Sequence, residues 1–175
     1  MDRVRKKISP LKAMSNEWLE VMAIAHRQGL ATTATMMFGH VETVEERIEH
    51  LERVRRQQEE TGGFTAFIAW TFQAENTRLK VQTVGAHEYL RMQALARIYL
   101  DNVENIQSSW VTQGREVGQV ALGFGANDFG SIMIEENVVS QAGTVFCMGV
   151  ADMQRLIRDL GLEPCQRDNW YNLVN

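Results

Sequence analysis

The chain has 175 residues, 45% of them hydrophobic and 23% charged, with a net charge of −4. That balance belongs to a soluble globular protein of about one domain, and it excludes a disordered tail, a collagen-like fibre and a coiled-coil rod. The sequence pI of about 5.6 argues against a general nucleic-acid binder, which would carry a basic surface.

The first element spans residues 16–28, where Trp18, Leu19, Met22 and Ala25 fall at helical spacing, with Ser15 as the expected cap and Gly29 as the stop. Residues 32–38, TTATMMF, read as a strand buried on both faces. The loop 39–43 leads into a capping box, Thr43-Val44-Glu45-Glu46, and a helix with Val44, Ile48, Leu51 and Val54 on one stripe. Thr61-Gly62-Gly63 ends that helix, and residues 64–70 form a second buried strand. Residues 71–85 make a polar loop of a length often tied to function. A helix over 87–100, a strand over 105–111, a short helix over 115–124 and a fourth strand over 126–133, broken by Gly130, follow. A helix at 151–160 and an extended piece at 163–167 close the chain.

Alternating strands and helices imply a parallel sheet with right-handed crossovers. Ligands of such sheets bind beyond the carboxyl ends of the strands, so residues 39–43, 71–77, 112–114 and 127–137 are expected to share one rim. A complete (β/α)8 barrel needs about 250 residues, so four such units make half of one. The chain reads as one domain over 1–175.

Cys147 and Cys165 are too few for a disulfide framework or a C-x-x-C metal clip, and they fit a reducing, cytoplasmic compartment. No apolar run approaches the ~20 residues of a membrane span, and the basic start MDRVRKKISP lacks the apolar stretch of a secretory signal.

Within the rim, His40 and Glu42 could bind a metal or act as acid and base, or simply order the start of the next helix. Trp70, Phe72, Trp110 and Phe129 sit near strand ends, where an aromatic either stacks on a ligand ring or closes the core. Gln73, Asn76, Gln113, Asn127 and Asp128 suit the fixing of a polar ligand, and Asn and Asp suit turns equally. Glu135 and Glu136 offer a general base or a solvated helix start.

The segment TATMMFGHVET, with Gly39 and Glu42 in its G-x-x-E ending and Thr35 where a glycine is usual, resembles the fifth-strand segment of radical S-adenosylmethionine enzymes. Its continuation ERIEHL…ETGGFTAFI resembles the menaquinone (futalosine) and deazaflavin branches of that superfamily. The motifs SWVTQG (109–114), GANDFGS (125–131), EENVV (135–139) and the tail QRD…YN (166–172) narrow the resemblance to futalosine-pathway members that cyclise dehypoxanthine futalosine. The resemblance implies the C-terminal half of a radical-SAM (β/α)8 TIM-type barrel, about four parallel strands with flanking helices. Its cofactors in the intact family are S-adenosylmethionine and a 4Fe–4S cluster, and its substrate is dehypoxanthine futalosine. It places Gly39, His40 and Glu42 on the cofactor side and Trp70, Gln73, Gln113 and Asn127 on the substrate side. Asp128 and Glu135 become the candidate catalytic acids. The family's C-x-x-x-C-x-x-C cluster loop is missing from this chain. A C-terminal half inactive alone is therefore expected, with a separate N-terminal half as partner, or a non-enzymatic half-barrel that pairs with a second copy.

Overall fold

The computed structural model describes residues 1–133 and 146–174. The order is α1 (Asp2–Ile8), α2 (Ser15–Arg27), β1 (Thr32–Phe38), α3 (Val44–Thr61), β2 (Phe64–Thr71), α4 (Ala86–Tyr99), β3 (Asn105–Gln107), α5 (Trp110–Gln113), α6 (Arg115–Leu122), α7 (Val150–Arg158), β4 (Gln166–Arg167) and β5 (Leu173–Val174). Strands β1, β2 and β3 form one parallel sheet in that order, and β4 and β5 pair antiparallel.

One sheet face carries Ala34, Met36, Phe38, Phe67, Ala69 and Ile106, all buried against the helices in one core with Leu51 and Val54 of α3 and Tyr89, Met92 and Ala96 of α4. The expected α3 stripe is therefore present, except that Val44 is 64% exposed at the first turn. Gln93 is buried too; its amide donates to the Gln107 carbonyl at 3.1 Å and ties α4 to β3. A second cluster joins Trp110, Phe129, Met148 and Leu156. The sequence left both aromatics open between ligand stacking and core; they are core.

Four expectations change. Strand β1 is buried on one face only, because Thr33 and Thr35 are exposed on the other. Met14, not Ser15, occupies the N-cap of α2; the Ser15 amide and hydroxyl both donate to Asp2 Oδ1, and Glu17 accepts from the Met14 amide. Strand β3 stops at Gln107, because the Ser109 and Thr112 hydroxyls, 2.9 Å apart, satisfy a turn that starts α5. The fourth strand reduces, among the described residues, to one parallel bridge between Gln107 and Asp128. There the Asn127 side chain takes the Ile106 amide at 2.8 Å, and Gly125 and Gly130 turn the backbone to positive φ. Side-chain bonding of this kind competes with a strand ladder.

Candidate functional site

The chain leaves β1 through Gly39, whose φ is +86° and whose added Cβ would overlap the Val84 side chain. Only glycine takes that turn without strain. The turn brings two amides onto one carboxylate: Gly39 N–H donates to Glu42 Oε1 at 2.6 Å and His40 N–H to Oε2 at 2.9 Å. His40 Nδ1 lies 2.7 Å from Glu42 Oε2, and Arg47 Nε donates to Oε1 at 2.8 Å. Glu42 is 6% exposed and the His40 side chain 1%. Burial alone would raise the Glu42 pKa. The His40 ring and the Gly39 and His40 amides outweigh it and hold this carboxyl well below the usual carboxylate range.

Arg47 continues the network to Glu88 at 2.5 Å and lies over the Phe38 ring. Thr43 and Glu46 form the expected capping box, and Arg3 of α1 donates to both Glu46 and the Val41 carbonyl. In this geometry His40 and Glu42 order the turn that leads into α3. Every donor around Glu42 is already engaged.

A cavity of about 440 Å³ opens beside this turn, lined by His40, Glu42, Met37, His50, Trp70 and Val4 among others. Trp70 is thereby brought to the same space as His40 and Glu42. At the carboxyl end of β2, Gln73 and Gln113 meet: both amides donate to Thr71 Oγ1, at 3.0 and 2.5 Å. Gln113 reaches it from the end of α5 rather than from a strand end.

Asp128 is 8% exposed and accepts from Gly130 N–H, Arg167 Nη2 and Tyr171 O–H at 2.7–2.8 Å. This locks the β4–β5 hairpin to the end of β3. Burial, then the bond to Asp128, pushes the Tyr171 hydroxyl well above its ordinary pKa. Tyr171 holds φ +65°, a left-handed backbone that costs a non-glycine residue about 1 kcal/mol, and the Asp128 bond helps to sustain it. The Asn127 side chain turns the other way, toward the start of β3: it bonds Arg97, the Ile106 amide and the Glu104 carbonyl. Glu135 lies outside the described residues.

Sequence reading missed Thr71, Arg47 and the Arg167–Asp128–Tyr171 link. Thr71 falls first in the expected 71–85 loop, whereas it is the last residue of β2. Arg47 carries no local signal that separates it from the other charges of α3. The tail motif was visible, but not its target.

Among the described residues no three His, Cys, Asp or Glu side chains are grouped to hold a metal. The two cysteines are both exposed and free. These residues do not fit a 4Fe–4S cluster, so none is assigned to this chain. No helix among the described residues is long and apolar enough to cross a membrane.

A three-stranded parallel sheet flanked by helices, with amide, carboxylate and imidazole groups past its strand ends, is a partial α/β domain. The chain belongs to the CofH/MqnC C-terminal region family, whose model matches residues 61–175. It is 52% identical over 171 residues to a cyclic dehypoxanthine futalosine synthase of Streptomyces coelicolor and 46% identical over 174 residues to one of Halalkalibacterium halodurans. It is also 40% identical over 181 residues to an aminodeoxyfutalosine synthase of Thermus thermophilus. These matches take in 97–99% of the chain but only 43%, 47% and 48% of those proteins. The chain therefore spans less than half the length of these three relatives.

Proposed function

We propose that this chain is the C-terminal, substrate-facing part of a cyclic dehypoxanthine futalosine synthase in menaquinone biosynthesis, and that it does not turn over alone. The observation that carries the reading is the near-complete match of the chain at 52% identity, combined with cysteines that cannot form the family's cluster. S-adenosylmethionine and the cluster supply the radical chemistry in the intact family. What this chain contributes is binding, orientation and exclusion of water.

In this reading the Gly39–Glu42 turn presents a rigid backbone toward S-adenosylmethionine, with Glu42 and Arg47 fixing the turn rather than reacting. Trp70 offers an aryl face to the substrate, and Gln73 and Gln113 offer amides. Asp128, already engaged by three donors, acts as a positioning residue that holds the tail across the rim. Proton transfer then falls to another acid, and Glu135 is the candidate.

The test is anaerobic reconstitution with iron and sulfide, followed by assay with dehypoxanthine futalosine and S-adenosylmethionine. The isolated chain should bind no stoichiometric cluster and form no cyclic product. Joined to the N-terminal portion of the Streptomyces coelicolor relative, it should form product. Turnover by the isolated chain, or turnover of the joined protein on a different substrate only, would overturn the reading.

A further inference from the structure

Three segments meet at one hydroxyl. Thr71, fully buried at the last position of β2, accepts from Gln73 Nε2 at 3.0 Å and from Gln113 Nε2 at 2.5 Å. Two main-chain carbonyls fix which way each carboxamide faces. Gln73 Nε2 also donates to the Thr71 carbonyl at 3.1 Å, and Gln113 Nε2 lies 3.5 Å from the Thr112 carbonyl. A carbonyl only accepts, so a nitrogen and not an oxygen must stand opposite each one. Both lone pairs of Thr71 Oγ1 are thereby filled, and the N–H₂ group of Gln113 is turned inward.

What remains for the rim is Gln113 Oε1. Nothing donates to it among the described residues, and the buried side-chain atoms without a partner are Gln93 Oε1, Asn102 Oδ1 and Arg167 Nε. Gln113 is half-buried, so this oxygen reaches solvent at the carboxyl end of the sheet. The nearest charges along the chain, Arg115 and Glu116, pair with each other at 3.4 Å, and no uncompensated cation stands beside it. A carboxylate placed there would meet oxygen against oxygen, whereas a hydroxyl finds an acceptor already aimed. A hydroxyl bonded to Oε1 also polarises the carboxamide and strengthens its N–H₂ bond to Thr71.

From this geometry we infer that Gln113 selects the polarity of the ligand: it takes a hydroxyl donor and rejects a carboxylate, with Thr71 as the positioning residue that sets its direction. The assignment rests on the proposed function and deepens it. Dehypoxanthine futalosine carries both kinds of group, sugar hydroxyls and a carboxylate, so Gln113 fixes which end lies at α5. That end is the sugar.

The experiment has two parts, both on the isotope-labelled 175-residue chain. In the free chain the Gln113 side-chain N–H₂ should exchange with deuterium oxide at least ~10-fold more slowly than that of the exposed Gln28, and Thr71→Val should remove the difference. In the second part, dehypoxanthine futalosine, its 2′,3′-dideoxy analogue and its methyl ester are titrated into wild type and Gln113→Met. That variant keeps the side-chain length and removes both polar ends. Removing the sugar hydroxyls or the Gln113 carboxamide should each weaken binding about 3–10-fold, and removing both should weaken it no further. Gln113→Met should weaken acid and ester by the same factor. Losses that add, a Gln113→Met effect that vanishes with the ester, or a Gln113 amide that exchanges as fast as Gln28 would each overturn the inference. If Thr71→Val unfolds, Gln113→Met and the analogues still decide. No binding of the parent compound overturns this inference and the proposed function together. Coupled losses without cyclic product from the joined protein leave the inference standing and count against the proposed function alone.

Discussion

Glu42→Gln removes the charge at the centre of the β1–α3 turn and keeps its volume. In the native turn two main-chain amides and Arg47 Nε donate to the carboxylate, and the His40 ring lies 2.7 Å from it. The glutamine amide would keep one acceptor oxygen and set an N–H₂ against donors. It would also leave Arg47, 15% exposed, short of one partner. Breaking a buried charged pair from one side costs about 3–5 kcal/mol, and the retained acceptor points to the lower end, about 3 kcal/mol. For a chain of this size that is a drop of about 6–12 °C in melting temperature at pH 7. The pH dependence gives a second signature. The folded carboxyl titrates below its unfolded value of 4.5, so the stability it contributes is complete above about pH 4.5 and is lost as pH falls toward the folded pKa. Thermal melts from pH 7 to pH 3 should therefore show wild type and variant converging in acid. A variant that melts within 2 °C of wild type at pH 7, or that keeps the wild-type slope below pH 4.5, would refute the assignment of Glu42 as the organiser of the turn.

Gly39→Ala forces a side chain into the left-handed region and against Val84, and should destabilise by about 2 kcal/mol, read by urea unfolding. His50 is held down to about pKa 4, chiefly by burial, so its neutral form contributes stability that is full above the unfolded pKa of 6.5 and lost as pH falls from there toward 4. His50→Gln should flatten that part of the stability curve, a window distinct from that of Glu42. Tyr171→Phe deletes one of three donors to Asp128 and should cost about 1 kcal/mol. Its direct readout is faster proteolytic cleavage in the tail with the core resistant. Leu51→Ala opens a cavity in the main core and should cost about 2–5 kcal/mol by the same unfolding assay.

The elements with strong local signals were readable from sequence almost to the residue. The Thr43 capping box, the Gly62 stop of α3 and the apolar runs of β1 and β2 each state their own structure within a few positions. What failed depended on partners far along the chain. Ser15 is the stronger cap by type, yet Asp2 claims it from 13 residues away. The segment at 126–133 has strand-like residues, but Asn127 spends its side chain on β3, and the ladder ends in a single bridge. Site residues divided in the same way. His40 and Glu42 share a turn and were found as a pair. Asp128 was visible as an acid, but its partners Arg167 and Tyr171 lie 39 and 43 residues on. Asn127 was expected beside the glutamines, but its side chain is taken up by the main chain at 104–106, where β3 begins.

Gln73 and Gln113 come from separate segments, yet both amides converge on the Thr71 hydroxyl. They are thermodynamically one unit. A ligand that recruits either amide must disturb the anchor of the other, so their contributions to affinity will not add. A double-mutant cycle over the two positions should return a coupling on the order of 0.5–3 kcal/mol. Substitution at this rim would then have to treat the two glutamines together, with Thr71 setting which replacements are compatible.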